Sequence, residues 1–241
     1  MKGATRILRP LLCIVLLLIG SALVAAAPPP QADSSDAALL ARLTRLRAVF
    51  LKRIDEEGYA LCPAPGIELA DPPAFGRYLP ERNVVLIASW SQLSVSERQA
   101  FEEMAQTLGG QAAARSVFEN GTHRWVFVHE LGHWWQACRH LTRPESYAAE
   151  NGANRIALAF WREREPRFAA GIVHGFAALL GSTPSPVPAA QSAQAYFDAN
   201  FSTIVQADAY TWFQGKMLVE LAAETLPPSF HRALSQPLYP W

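Results

Sequence analysis

The chemically most informative stretch of the chain is His129-Glu130-Leu131-Gly132-His133, which reads H-E-x-x-H. It lies in a pattern that predicts a helix from Arg124 to His140. In a helix, His129 and His133 lie one turn apart on the same face, so their imidazoles can bind a single zinc ion. Glu130 lies one residue round the helix, where its carboxylate can take a proton from a water molecule at the metal.

The residues around this motif are apolar. Trp125 to Val128 precede it, and Trp134-Trp135 follow it directly. A helix that is apolar on most sides is usually buried in the core. Buried imidazoles need polar partners, and a metal ion is a good one. The alternative is a core helix that carries two hydrogen-bonded histidines and no metal.

The H-E-L-G-H sequence, with a small residue before the second histidine, resembles the active-site helix of the zincin metallopeptidases. The metzincin branch needs a glycine and a ligand where this chain has Gln136 and Arg139, so that branch is excluded. The gluzincin branch takes its third ligand from a second helix, and Glu150 lies 17 residues after His133, with room for a turn at 141–144. The resemblance covers residues 124–154.

By this resemblance, His129, His133 and Glu150 hold one Zn²⁺ ion, and Glu130 is the catalytic general base. The ligand set leaves a fourth position open for water, as in other catalytic zinc sites. The implied activity is zinc-dependent hydrolysis of a peptide bond.

Two further residues are candidates for roles in such a site. Asn154 lies four residues after Glu150, where gluzincins carry a carboxylate that supports the ligands without binding the metal, and its amide can accept a hydrogen bond from a ligand imidazole. Tyr210 is the candidate for stabilising the oxyanion, with an aromatic core position as the alternative. His174 is predicted to be a core histidine, with polarisation of a substrate carbonyl as the alternative.

Residues 1–27 have the pattern of a secretory signal peptide. Lys2, Arg6 and Arg9 precede an apolar run, and three alanines at 25–27 provide small residues for cleavage. The sequence therefore predicts a secreted or periplasmic protein. The alternative is an uncleaved leader that remains as a membrane anchor.

The remaining sequence predicts a linker at 28–35 and a single zincin-like catalytic domain at 36–241. The whole chain has 21 basic and 21 acidic residues, and three of the basic ones belong to the leader. No basic cluster remains, so nucleic acid is not an expected partner. The expected partner is a peptide or protein substrate, and membrane contact is expected only through an unprocessed leader.

The expected fold class is α+β, mostly helical, with a zincin-like core that combines a small β-sheet and an active-site helix. Residues 36–57 have helical periodicity, and Ser94 to Glu97 form a capping box that starts another helix. Asn83 to Ala88 is a strand, either at the sheet edge beside the cleft or in the sheet interior. Residues 59–80 are predicted to be irregular, and the tail 226–241 to lie over the surface.

Cys62 and Cys138 remain after removal of the leader. In an oxidising exported compartment they can form a disulfide, or they can be two separate buried thiols. The spacing does not distinguish these alternatives.

Two functions compete with an exported zinc metallopeptidase. One is a catalytically inactive zinc-binding interaction protein, which the amide at Asn154 favours and the presence of Glu130 disfavours. The other is a zinc amide or ester hydrolase that acts on cell-wall or small-molecule substrates with the same site.

Overall fold

The computed structural model describes residues 36–107, 113–205, 208–224 and 229–235. The described chain is mostly helical with a small three-stranded sheet, which confirms the predicted α+β class. The predicted signal peptide and linker lie outside the described residues. Among the described helices, none has the length and apolar character needed to cross a membrane.

One long helix comes first, three strands follow with a short 3₁₀ helix (Pro73–Phe75) between the first two, and the rest of the described chain is helical. The helices are α1 (Asp36–Glu56), α2 (Val95–Thr107), α3 (Ala114–Phe118), a π-helix (Glu119–Val126), α4 (Phe127–Arg139), α5 (Tyr147–Arg164), α6 (Pro166–Ser182), α7 (Ala193–Ile204), α8 (Asp208–Ala222) and α9 (Phe230–Ser235). The strands are β1 (Gly66–Leu69), β2 (Gly76–Leu79) and β3 (Val84–Ile87).

The sheet has the strand order β1-β3-β2, with β1 parallel and β2 antiparallel to β3. The predicted strand at residues 83–88 is therefore the central strand, so the interior alternative is confirmed and the sheet-edge alternative is wrong. The prediction that residues 59–80 are irregular is also wrong, because they contain both outer strands. Each outer strand has only four residues and begins at a glycine, a residue that is depleted in strands.

Two of the predicted helix starts are confirmed. α1 begins at Asp36 and buries Leu39, Leu43, Phe50 and Ile54 on one face. Before α2, the Ser94 backbone N–H donates to Glu97 Oε2 at 2.7 Å, and the Glu97 N–H donates to Ser94 Oγ at 3.2 Å. This reciprocal pair is the capping box that the sequence predicts.

The predicted zinc helix lies at the centre of the core. It continues from the π-helix into α4 and ends at His140, which adopts a left-handed conformation with φ of 52°. Cys138, near this end, forms a disulfide with Cys62, so the paired alternative is correct. The disulfide fixes the segment before the sheet to the end of α4.

Two predictions about the outer helices are wrong. His174 is exposed on α6 rather than buried in the core. The tail does not lie entirely over the surface, because α9 buries Phe230, Ala233 and Leu234. Short helices of this kind lack enough residues to display a clear 3.6-residue period in the sequence.

His123, in the π-helix, is a buried histidine outside the predicted site. It is 6% exposed, and its Nε2 donates to the Ala88 carbonyl oxygen at 2.9 Å. Its Nδ1 is buried without a hydrogen-bond partner in the described part of the chain. Burial lowers the pKa of His123 to about 4.

We expect His123 to make the metal-free protein sensitive to acid. The folded pKa lies below the ordinary value, so the folded state binds fewer protons than the unfolded state between these values. The contribution of neutral His123 to the free energy of unfolding is therefore present above about pH 6.5 and is lost as the pH falls toward about 4. The expected loss in the free energy of unfolding is on the order of 3 kcal/mol.

Urea unfolding between pH 7 and pH 4.5, with a chelator present, tests this expectation. In His123→Gln, which cannot titrate, the pH dependence should flatten over this interval. His174→Gln, an exchange at the exposed histidine, should retain the wild-type slope. An equal slope in His123→Gln and wild type would contradict the assignment.

Candidate metal centre

The two histidines of the motif converge with Glu150 at one point. The Nε2 atoms of His129 and His133 are 3.0 Å apart. Glu150 Oε2 lies 3.2 Å from His129 Nε2, and Glu150 Oε1 lies 3.5 Å from His133 Nε2. Glu150 lies in the first turn of α5, which is capped by the hydroxyl of Ser146. The structure therefore brings the three predicted ligands together.

The spacing of these donor atoms fits a zinc ion. Tetrahedral bonds of about 2.0–2.1 Å place neighbouring donor atoms about 3.3 Å apart. The three separations, 3.0, 3.2 and 3.5 Å, are distributed around that value. Two imidazole nitrogens and a carboxylate are also a donor set that catalytic zinc sites use.

Amide side chains fix the tautomer of both histidines. His129 Nδ1 lies 2.9 Å from Asn154 Oδ1, and His133 Nδ1 lies 3.2 Å from Gln136 Oε1. The orientation of Gln136 is set because its Nε2 donates to the Ala149 carbonyl. When the rings are neutral, both Nδ1 atoms therefore donate, and both Nε2 atoms can present lone pairs to a metal at the same point.

α8 closes a hydrogen-bond network around this point. Asn154 Nδ2 donates to Gln214 Oε1 at 2.6 Å, and Gln214 Nε2 donates to Glu150 Oε2 at 2.8 Å. Asn154, fully buried, thus connects a ligand histidine to the ligand carboxylate through Gln214. An amide at position 154 serves this network because it donates and accepts, whereas a carboxylate only accepts.

Glu130 is held beside the two histidines by the sheet. Its carboxylate and the histidine nitrogens lie within 4.8 Å of one another. Glu130 Oε2 accepts a hydrogen bond of 2.7 Å from the backbone N–H of Tyr78, in β2. Glu150 pairs with both rings, at 3.2 and 3.5 Å, so it is the better third ligand. Glu130 would lie beside a metal ion held by these residues, within reach of a water molecule bound to it.

The structure places Tyr210 within the site. Its hydroxyl donates to Glu150 Oε2 at 2.8 Å, and its ring also contributes to the wall of the adjoining cleft. Burial and the charge of Glu150 hold the pKa of Tyr210 well above its ordinary value. The hydroxyl therefore keeps its proton and can donate a hydrogen bond.

Glu150 and His133 favour the charged forms of one another. Burial disfavours the charged form of His133, but the Glu150 carboxylate outweighs it and raises the pKa of His133 to about 9. Burial also disfavours the charged form of Glu150, but His133 and His129 outweigh it and hold its pKa well below the ordinary value. Without a metal, the site therefore retains a proton that zinc binding must displace.

The ligands from α4 and α5 meet because these helices pack closely at Gly132. A Cβ atom at Gly132 would lie 3.0 Å from Ala153 Cα and 3.2 Å from the Ala153 carbonyl oxygen. Both are backbone atoms, so a larger side chain requires the two helices to separate. The small residue before the second histidine therefore sets the distance between Glu150 and the histidines.

We expect Gly132→Ala to weaken both zinc binding and folding. Separation of α4 and α5 moves Glu150 away from the histidines, and overpacking of this kind costs about 1–3 kcal/mol. Zinc affinity and urea unfolding are the measurements. Gly181→Ala, in α6, is the matched control because a Cβ there meets nothing within 4 Å. Equal behaviour of the two variants would contradict the role of Gly132.

A cleft of about 450 Å³ opens beside the metal centre. Its lining includes β2 as well as Phe201 and Val205 around the end of α7. β2 pairs only with β3 in the described sheet, and its residues from Gly76 to Leu79 all line the cleft. Arg77, Glu81 and Glu145 also line the cleft.

Two polar side chains of the site were not predicted from the sequence. Gln136 lies three residues after His133, and this spacing on one helix face is a signal that could have indicated its contact. Gln214 comes from α8, far along the chain, and only its spacing of four residues from Tyr210 places it on the same face.

No model of a protein family matches the chain, and neither a curated protein nor a solved structure is significantly similar to it.

Proposed function

We propose that this protein is a zinc-dependent metallopeptidase. The observation that carries the proposal is the convergence of His129, His133 and Glu150 with a fourth group, Glu130, held at the same point by a backbone N–H of the sheet. A purely structural zinc site has no use for such a carboxylate. A bound zinc ion would polarise the scissile carbonyl and acidify water.

The protein's own residues transfer the proton, orient the reacting groups and stabilise the oxyanion. Glu130 accepts the proton of the attacking water and passes it to the leaving amine. The Tyr78 N–H keeps the Glu130 carboxylate oriented for this transfer. Tyr210 keeps a protonated hydroxyl beside the site, and this hydroxyl would donate to the developing oxyanion by turning away from Glu150 Oε2. Asn154 orients His129.

An extended peptide is the substrate that best suits the cleft. β2 lines the cleft and pairs on one side only in the described sheet, so a peptide can add to its other edge as a further strand through the backbone groups that Glu130 does not already occupy. This role belongs to Gly76–Leu79 rather than to the central strand β3. The edge strand also holds Glu130, so a peptide bound there would lie next to the general base.

Metal analysis combined with a cleavage assay tests the proposal. The mature protein, purified and dialysed, should contain one zinc ion per chain by elemental mass spectrometry. A mixture of unstructured peptides should be cleaved, cleavage should stop with a zinc chelator, and added zinc should restore it. Zinc binding without cleavage of any peptide would favour the interaction protein or the non-peptide hydrolase. Absence of zinc would contradict the proposal.

A further inference from the structure

Gln214, on α8, connects two of the three proposed zinc ligands. Its Nε2 donates to Glu150 Oε2 at 2.8 Å, and its Oε1 accepts from Asn154 Nδ2 at 2.6 Å. Asn154 Oδ1 in turn lies 2.9 Å from His129 Nδ1. Gln214 is 7% exposed and Asn154 is fully buried, so the protein itself has to satisfy the hydrogen-bonding groups of both amides.

The direction of each hydrogen bond in this chain of contacts follows from the Glu150 carboxylate. A carboxylate that binds a metal is ionised and only accepts, so Gln214 must present its Nε2 to Glu150 and its Oε1 to Asn154. Asn154 must then present its Nδ2 to Gln214, which leaves its Oδ1 facing His129. A neutral His129 therefore donates from Nδ1 and keeps Nε2 for the metal. The two amides thus relate the orientation of one ligand to that of the other.

A second donor from α8 reaches the same oxygen of Glu150. The Tyr210 hydroxyl also donates to Glu150 Oε2, at 2.8 Å. Tyr210 and Gln214 lie four residues apart, which places them on one face of α8. The hydroxyl carries one proton, so it cannot hold Glu150 and stabilise the oxyanion at the same time. When it turns toward the oxyanion, Gln214 is the donor of this pair that remains on Glu150.

We propose that Gln214 is a positioning residue of the metal centre. It holds the Glu150 carboxylate while Tyr210 leaves it, and through Asn154 it orients the ring of His129. The inference rests on the zinc site of the proposed function. It also accounts for the amide at position 154, because a carboxylate there would face the Gln214 carbonyl oxygen, and two acceptors form no hydrogen bond.

Zinc affinity, measured by titration with a fluorescent competitor, tests this role independently of catalysis. Gln214→Met has nearly the same length but cannot donate to Glu150. We expect it to lower zinc affinity by about 10–100-fold, the range for groups that orient a ligand. Gln99→Met, the same exchange at an exposed position of α2, should bind zinc as wild type does. Equal zinc affinity of Gln214→Met and wild type would overturn the inference.

Asn154→Asp separates the connection through Gln214 from a direct effect on His129. A carboxylate accepts from an imidazole at least as well as an amide does, so zinc affinity would be retained or increased if Asn154 acted on His129 alone. The carboxylate cannot donate to Gln214, however, and we therefore expect zinc affinity to fall by at least about tenfold. Retained affinity would overturn the connection. The exchange preserves the size of the side chain, so it remains informative if circular dichroism shows that Gln214→Met does not fold.

Tyr210→Phe tests the division between the two donors from α8. Loss of the hydroxyl should lower kcat by about a hundredfold, as for other oxyanion donors. It should cost less zinc affinity than Gln214→Met, because Gln214 continues to hold Glu150. Steady-state kinetics and the zinc titration measure the two effects. A loss of zinc affinity equal to that of Gln214→Met would contradict the division.

The outcomes distinguish this inference from the proposed function. Wild type that binds no zinc would overturn both. Wild type that binds zinc but cleaves no peptide would overturn the peptidase alone, because the zinc affinities of Gln214→Met and Asn154→Asp still decide the role of Gln214.

Discussion

Glu130→Gln is expected to lower kcat/KM for peptide cleavage by about a thousandfold while zinc remains bound as in wild type. The amide has nearly the shape of the carboxylate, and its oxygen can still accept the Tyr78 N–H that holds Glu130 in place. The amide cannot accept the proton of the attacking water, however. The loss should therefore appear in kcat, because the exchange removes proton transfer and not substrate binding.

Glu81→Gln is the matched control for this experiment. Glu81 lines the same cleft and is exposed, so its exchange removes the same charge without touching the metal centre. Cleavage kinetics and zinc content are measured for both variants. Glu81→Gln should remain within about twofold of wild type, because an exposed charge contributes little. If Glu130→Gln retained most of the activity, another group would have to be the general base.

The sequence was sufficient to predict the geometry that depends on helical periodicity. His129 and His133 lie on one face because the helix has a fixed period. Glu150 and Asn154 occupy one face of the next helix for the same reason, and the short connection makes the two helices neighbours. Helical periodicity and the short connection are therefore enough to predict that His129, His133, Glu150 and Asn154 lie close together.

Residues whose position depends on distant packing were harder to predict. Gln214 reaches Glu150 because α8 packs across α5, and no local pattern in the sequence specifies that packing. The Tyr78 N–H reaches Glu130 because β2 begins at Gly76, where a Cβ atom would lie 2.3 Å from Val126 Cγ1. The strand can approach the π-helix and the start of α4 this closely only because this residue lacks a side chain.

The assignment of the sheet edge illustrates the same limit. The strand with the strongest apolar pattern, β3, is the central strand of the sheet. It pairs with a neighbour along each edge and buries the side chains of Val85 and Ile87. The edge strand β2 faces the cleft and carries Arg77 among its residues. Its weak pattern therefore reflects its position beside the proposed substrate site, because an edge open to solvent and ligand does not require apolar residues.

Glu150→Gln is expected to have the opposite signature to Glu130→Gln and to lower zinc affinity by more than about a hundredfold. Exchange of a group that merely orients a ligand already costs about 10–100-fold in metal affinity, and loss of a ligand costs more. Glu145→Gln is the matched control, since Glu145 lines the cleft but is exposed and pairs with Arg77. It should bind zinc as wild type does.

Zinc titration with a fluorescent competitor measures this loss, and it also tests which acid is the third ligand. If Glu150→Gln bound zinc as tightly as wild type, the two histidines would have to use another carboxylate. Glu130, whose oxygen lies within 4.8 Å of their nitrogens, is the candidate that the structure offers. Zinc loss in Glu130→Gln would then identify it as a ligand and exclude it as the base. Each Glu→Gln exchange therefore serves as the control for the role assigned to the other.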